Sequence, residues 1–262
     1  MSNLQVGLAA PDYVSSSLRR REEVDWQHEG KYYQHWSSAD GDGNFIIGKV
    51  RPGTYTLHAI ANGVLGEFAR ANVTIKPGET LDLGTLTWHP VRYGRQLWEI
   101  GVPDRTAAEC RHGDDYWHWG LYLQYPREFP DDVTFVIGIS DPRRDWNYAQ
   151  PPRIDANGRV ERPTTWRISF DLPDAPRGKA TLRLAIAGSR TNRGIDVAVN
   201  DVAAGNSGPL PDTGVMHRDG IRGAWCERSV SFDASILRAG VNIVSLTVPA
   251  QSWVPLISRE MK

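Results

Sequence analysis

Turn signals recur at intervals of about ten residues along this chain, a spacing typical of short antiparallel strands. In the stretch GDGNFIIGKVRPGTYTLHAIANGVLGEF, residues 41–68, Pro52-Gly53 and Asn62-Gly63 flank the run TYTLHAIA. Apolar and polar residues alternate in that run, which is the pattern of a strand with one buried face. Asn-Gly is a strong hairpin signal. The stretch therefore predicts a packed β layer, and it carries no reactive group at its centre.

The first third of the chain predicts a small antiparallel sandwich. FIIGKV, residues 45–50, is expected to form one strand, TYTLHAIA a second, and ANVTI and LDLGTLTW two more on either side of a Pro77-Gly78 turn. Pro-Gly favours tight turns because proline presets φ and glycine tolerates positive φ. A short helix is expected around residues 17–24, before the strands begin.

The rest of the chain predicts a second, larger sandwich. A connector rich in aromatic residues, proline and aspartate precedes VTFVIGIS at residues 133–140. Five further β segments follow, namely TTWRISFDL, KATLRLAIAG, GIDVAVN, ERSVSFDASIL and NIVSLTVPA. Several antiparallel strands separated by turns are typical of a jelly roll. With 262 residues the chain has room for two domains, and we expect an all-β protein.

Charge and hydropathy exclude several classes of function. Lys and Arg number 30 against 31 Asp and Glu, so no basic surplus favours nucleic acid. No apolar run approaches the ~20 residues of a membrane helix. The first residues, MSNLQVGLAAPDY, lack the basic and apolar regions of a signal peptide. Cys110 and Cys226 lie far apart without a CxxC motif, so we expect no zinc ribbon. A disulfide and two buried thiols both remain open.

Two segments have the composition of a sugar-binding site. Sugars offer C–H faces to aromatic rings and hydroxyls to polar side chains. DDYWHWGLY and DPRRDWNYAQ combine both residue types, and arginine also suits the carboxylate of an acidic sugar. The alternative is that the rings pack the seam between domains. The predicted carbohydrate-binding residues are Trp117, Trp119, Arg143, Arg144, Trp146 and Tyr148.

Catalytic and metal-binding residues are hard to find. General acid–base catalysis needs a positioned base and a group that stabilises developing negative charge, and His112, beside Arg111 and Asp114, is the best base candidate. The alternative is a hydrogen-bonded structural loop. DGDGN, residues 40–44, resembles part of a calcium loop but lacks the downstream glutamate, so a turn is expected. We predict no catalytic residue, no metal ligand and no cofactor, with a structural Ca²⁺ as the alternative.

Longer stretches of the chain resemble one family. VRPGTYTLHAIANGVLGEF, LDLGTLTWHPVRYGRQLWEIGVPDRTAAECRHGD and YPREFPDDVTFVIGISDPRRDWNYAQ are similar to the C-terminal part of family 4 polysaccharide lyases, the rhamnogalacturonan endolyases. The resemblance implies a fibronectin-III-like β-sandwich at 1–90 and a jelly-roll, carbohydrate-binding-module-like domain at 91–262. The catalytic lysine and histidine of the family belong to a preceding domain that has no counterpart here, so no catalytic residue is carried over.

The resemblance also implies a function. We expect an extracellular accessory module that binds pectic rhamnogalacturonan I, with a separate catalytic lyase domain as a further partner. The alternatives are an active endolyase that cleaves by β-elimination and a structural remnant of a split or truncated lyase. After QSW the family continues with an aromatic YDYLRLE-like strand, whereas this chain reads VPLISREMK. This departure from the family pattern indicates a truncated or altered C-terminus, and whether the closing strand of the second sandwich forms stays open.

Overall fold

A computed structural model describes residues 3–17, 20–115, 118, 120–154, 160–189, 193–211, 225–250 and 256–261. The chain divides into two compact units, Met1–Arg92 and Tyr93–Lys262, called unit 1 and unit 2 below. Strands dominate both units, and the predicted all-β class is confirmed. No α-helix in the described ranges is long and apolar enough to cross a membrane.

Unit 1 is built on one antiparallel sheet. Its strands are β1 (Leu4–Ala9), β2 (Tyr13–Ser17), β3 (Arg20–Val24), β4 (His35–Ser38), β5 (Gly53–Ala61) and β6 (Phe68–Ile75). The sheet has the order β4-β1-β5-β6, and β2 and β3 form a separate hairpin. Alternation along β5 buries Tyr55, Leu57 and Ala59 against Val6 and Leu8 of β1, as the sequence predicts.

Three local predictions for unit 1 are wrong. Residues 17–24 do not form a helix, because β2 and β3 pair antiparallel with Tyr13 opposite Val24. FIIGKV and the segment LDLGTLTW have no ladder partner among the described strands and run as irregular chain. Their apolar side chains nevertheless pack on the core of unit 1, where they cover the sheet. These side chains are Phe45, Ile47, Val50, Leu83 and Leu86.

In its described ranges, unit 2 contains two larger sheets and two short α-helices. The helices are α1 (Leu121–Glu128) and α2 (Pro142–Asp145). The strands are β7 (Trp98–Ile100), β8 (Thr134–Val136), β9 (Arg153–Ile154), β10 (Val160–Arg162), β11 (Thr164–Leu172), β12 (Lys179–Ile186), β13 (Asp196–Val199), β14 (Val202–Asn206), β15 (Cys226–Asp233), β16 (Gly240–Val248) and β17 (Leu256–Met261). One sheet has the order β14-β13-β16-β11-β8 and the other β15-β12-β17-β7, while β9 and β10 form a small ribbon.

The core of unit 2 lies between these sheets. Strand β11 alternates strictly and buries Trp166, Ile168 and Phe170, as the TTWRISFDL pattern predicts. Strand β12 is buried along nearly its whole length, because it lies between β15 and β17. Cys110 and Cys226 are buried in this core as thiols, without a disulfide between them.

The closing strand of unit 2 is present. β17, within VPLISREMK, pairs antiparallel with β12 on one side and with β7 on the other. The closing strand, which the sequence left open, therefore forms. Antiparallel pairing depends on main-chain groups, so a different side-chain pattern can still complete the sheet.

Candidate functional site

Unit 2 has an open polar cleft of about 470 Å³. Its walls come from the end of α1, the loop that follows α1, and α2. The residues that line it are Arg111, Glu128, Phe129, Pro130, Asp131, Asp132, Thr134, Arg144 and Asp145. Six of these nine residues are charged, so the cleft presents hydrogen-bonding groups to a ligand.

Helix α2 begins at an Asp-Pro pair, which is a favourable start for a helical turn. The Asp141 side chain accepts a hydrogen bond from the Arg143 N–H at 2.9 Å, and Pro142 supplies a preset φ. The turn ends at Trp146, whose N–H donates to the Pro142 carbonyl at 3.3 Å. This geometry leaves Arg143 and Arg144 exposed.

The Arg144 guanidinium is held by the next residue. Its Nε donates to Asp145 Oδ1 at 2.8 Å, and its Nη2 donates to Oδ2 at 2.7 Å. These hydrogen bonds hold the pKa of the Asp145 carboxyl below its usual range. The Arg144 side chain remains 67% exposed. A sugar carboxylate would have to compete with Asp145, whereas sugar hydroxyls can bond to the pair as it stands.

A second ion pair, between Arg111 and Glu128, also lines the cleft. Glu128 Oε2 accepts from Arg111 Nε at 2.9 Å and contacts His112 Nε2 at 2.8 Å. The Arg111 hydrogen bond, followed by that of His112, lowers the pKa of the Glu128 carboxyl despite partial burial. The candidate base His112 thus contacts a carboxylate that also accepts a hydrogen bond from Arg111. This arrangement agrees with the alternative interpretation, a hydrogen-bonded structural loop.

Backbone contacts tie this second pair to α2. The Arg111 N–H donates to the Trp146 carbonyl at 2.9 Å, and the Tyr148 N–H donates to the Arg111 carbonyl at 3.0 Å. Gly113 packs tightly against the loop before it, since a Cβ at that position would lie 1.6 Å from the Ala107 carbonyl oxygen. The loop that carries Arg111 is therefore fixed relative to α2.

Asp132 anchors the floor of the cleft. It is buried, and its Oδ1 accepts from Arg153 Nε at 2.9 Å and from Arg153 Nη2 at 2.7 Å. Its Oδ2 accepts from Arg162 Nη1 at 3.1 Å and from the Thr165 N–H at 2.9 Å. Sequence reasoning missed this network and Glu128, because the partners are separated by 16 to 33 residues and share no motif.

The predicted aromatic residues do not act together at the cleft. Trp146 is 1% exposed and packs edge-to-face on Trp166, with ring centroids 4.7 Å apart. The expectation that its ring is exposed is wrong, because the chain turns inward after α2. Tyr148 is half-buried against the core, and burial raises the pKa of its hydroxyl to about 12. Trp117 and Trp119 lie outside the described residues.

The DGDGN segment of unit 1 forms a turn, as predicted. Asp40 Oδ1 accepts from the Asp42 N–H at 3.0 Å and from the Asn44 N–H at 2.8 Å. Within the described ranges, no three His, Cys, Asp or Glu side chains are grouped so that they could hold a metal ion. That the chain uses no cofactor stays a prediction.

Both units match models of one family. Residues 96–259 match polysaccharide lyase family 4, domain III, and residues 3–83 match domain II of the same family. A probable rhamnogalacturonate lyase B from Aspergillus niger is 30% identical over 257 residues, which cover 83% of this chain and 36% of that protein. Rhamnogalacturonate lyase B from Emericella nidulans is 30% identical over 256 residues, covering 83% of this chain and 38% of that protein.

The chain therefore spans little more than a third of the length of these two curated relatives. Among solved structures, a family 35 carbohydrate binding module from an environmental isolate superposes with a TM-score of 0.29 and 18% identity. That superposition covers 43% of this chain and 82% of the module.

Proposed function

Since this chain belongs to polysaccharide lyase family 4, we propose that it is a carbohydrate-binding accessory module whose ligand is pectic rhamnogalacturonan I. The matches to domains II and III support an accessory role, and the names of the relatives support the polymer. We also propose that the module acts outside the cell and that a separate catalytic lyase domain cleaves the polymer.

The observation that carries the proposal is the pairing of guanidinium and carboxylate groups in the cleft. A sugar hydroxyl donates one hydrogen bond and accepts others, while arginine only donates and carboxylate only accepts. The Arg144–Asp145 and Arg111–Glu128 pairs each place a donor beside an acceptor, which suits neighbouring hydroxyls of a sugar ring. Arg143, exposed beside them, is assigned to the carboxylate of galacturonate.

The predicted aromatic residues receive different roles in this proposal. Trp146 supports α2 from the core and does not stack on sugar. Tyr148 lies behind the cleft residues and holds Arg111 through its backbone N–H. That Trp117 and Trp119 stack on sugar stays a prediction, because both lie outside the described residues.

Affinity electrophoresis of the full chain in gels that contain rhamnogalacturonan I tests the proposal. We expect the wild-type chain to be retarded and Arg144→Ala to bind about five- to tenfold more weakly, a loss typical of a charged hydrogen bond of about 1 kcal/mol or more. Arg177→Ala, at an exposed arginine in the loop between β11 and β12, is the matched control and should bind like the wild type.

Equal retardation of Arg144→Ala and Arg177→Ala would place the ligand elsewhere and contradict the assignment of the cleft. No retardation of the wild-type chain on the polymer would contradict the proposed function itself. Because Arg144 is exposed, its replacement should leave folding intact, and a thermal melt of each variant checks this.

A further inference from the structure

Unit 1 presents two exposed tyrosines that each lie under a cation. Tyr32 is 48% exposed and Tyr33 is 62% exposed. The Lys31 Nζ lies 4.9 Å from the centroid of the Tyr32 ring, and the Arg51 Cζ lies 3.9 Å from that of Tyr33. We call Lys31, Tyr32, Tyr33 and Arg51 the tyrosine–cation surface.

Several contacts hold this surface in place. Glu29 Oε1 accepts hydrogen bonds from the backbone N–H groups of Lys31 and Tyr32. After the tyrosines, Gln34 donates to the Trp26 carbonyl and accepts from Trp36 Nε1 at 2.9 Å. The ring of Tyr13 meets Tyr32 edge-on at 5.8 Å. A ligand would therefore meet rings whose backbone is fixed on both sides, which lowers the entropy lost on binding.

The cations of this surface differ from those of the cleft. Neither Lys31 nor Arg51 forms an ion pair with a carboxylate in the part of the chain that the structure describes. Elsewhere, Tyr93 of unit 2 is also exposed and lies under Arg183, but that guanidinium is nearly buried and lies 3.4 Å from Glu227. Among these cases, Arg51 combines exposure, a ring contact and a guanidinium without an ion-pair partner in the described residues, whereas Lys31 lies near the Glu29 carboxylate.

We propose that the tyrosine–cation surface binds uronate residues of an acidic glycan. A uronate ring offers an apolar C–H face for a tyrosine and a carboxylate for Arg51 or Lys31, so it uses both features together. Single-stranded nucleic acid also combines flat faces with negative charge, but its affinity depends on several phosphate contacts and a basic surface. Two cations in a chain of net charge -1 favour the glycan.

This inference goes beyond the proposed function, because it concerns unit 1 and depends on none of the cleft residues. The ligand would be recognised by its uronate residues, so the test uses polygalacturonate, which contains galacturonate without rhamnose. Native affinity gels of the full chain, with and without this polymer, compare the wild type, Tyr33→Ala, Arg51→Gln and Tyr93→Ala.

We expect polygalacturonate to retard the wild-type chain and Tyr33→Ala to bind about fivefold more weakly, as the loss of an exposed ring and its cation contact would produce. Arg51→Gln should lose a similar amount and should be less sensitive to salt. Tyr93→Ala, which removes the matched tyrosine of unit 2, should bind like the wild type. Tyr33→Phe keeps the ring and should retain binding, which separates recognition from a folding defect.

Four results would overturn the inference: no retardation of the wild type, equal weakening by Tyr33→Ala and Tyr93→Ala, equal retention on neutral galactan, or tighter binding of single-stranded RNA. Sedimentation that shows a self-associated chain dispersed by Tyr33→Ala, without retention on glycan, would instead assign the surface to protein contact. Arg144→Ala on rhamnogalacturonan I reports the cleft separately, so one proposal can fail while the other stands.

Discussion

Both units place an arginine over a tyrosine ring, but in opposite settings. In unit 2 the Arg153 Cζ lies 5.0 Å from the centroid of Tyr125, and the guanidinium is buried and bonded to Asp132. In unit 1 Arg51 lies 3.9 Å from Tyr33, and both side chains are exposed. The same residue types therefore build a fold in one unit and leave an open surface in the other.

The difference lies in whether a carboxylate within the fold pairs with the guanidinium group. A buried guanidinium is tolerated only with a carboxylate and well-placed acceptors, and removing one partner is costly. An exposed cation–ring contact contributes only about 0.5–1 kcal/mol, so its loss leaves folding nearly unchanged. Aromatic and arginine composition alone thus cannot distinguish a core from a binding surface.

Trp146→Ala should show the largest effect. Its ring is packed against Trp166 and Phe135, so truncation leaves a cavity and should destabilise unit 2 by about 3–5 kcal/mol. Urea denaturation followed by circular dichroism and fluorescence measures the change. A loss below about 1 kcal/mol would mean that the core does not depend on this ring, and the contrast between the units would weaken.

Asp132→Asn should be next, because it removes the charge that Arg153 and Arg162 share while keeping one acceptor oxygen. We expect a loss of about 2–3 kcal/mol in the free energy of unfolding, as for hydrogen bonds to charged groups. Asp131→Asn, at the exposed neighbouring aspartate, is the matched control and should change stability by less than about 0.5 kcal/mol. Similar values for both variants would contradict the role of Asp132 as the floor of the cleft.

Glu128→Gln should alter the pH dependence of unit 2. The folded pKa of Glu128 lies below its usual value, mainly because Arg111 donates to it. The resulting stabilisation is present above the unfolded pKa of about 4.5 and is lost as pH falls through the folded pKa. Thermal melts should show a smaller loss of stability on acidification in Glu128→Gln than in the wild type. The control is Glu99→Gln, at the exposed residue of β7, which should follow the wild type.

Tyr33→Ala should have the smallest effect on stability, at most about 0.5–1 kcal/mol, because the ring is exposed and its surface contact with Arg51 contributes no more than that. Denaturation in urea measures this value for comparison with Trp146→Ala. A loss above about 1 kcal/mol would make the tyrosine–cation surface part of the fold and would remove the main contrast between the two units.

Much of the fold follows from sequence alternation. β5, β11, β12 and β16 coincide with predicted strands because long alternating or apolar runs between turns have few other solutions. The conformation of residues 45–50 was harder to predict, since they contribute apolar side chains to the core without pairing with a strand of the sheet. Whether an apolar run pairs with another strand depends on neighbours that the run itself does not specify.

The candidate sites were only partly predictable. Arg143 and Arg144 follow an Asp-Pro helix start, and such a turn keeps consecutive long side chains at the surface. Trp146 lies two residues later in the same polar segment, but its ring is buried. Only the three-dimensional contacts reveal this. The tyrosine–cation surface did carry a signal, the sequence KYY at residues 31–33, but Arg51 joins it from a distant part of the chain.

The central claim is that this chain binds pectic polymer without cleaving it. The direct test incubates the purified full chain with rhamnogalacturonan I, follows the absorbance of unsaturated uronate, and measures how much protein the polymer retains. We predict a flat absorbance trace together with retained protein. A rising trace that His112→Ala abolishes would contradict the claim and would make this chain a lyase in its own right.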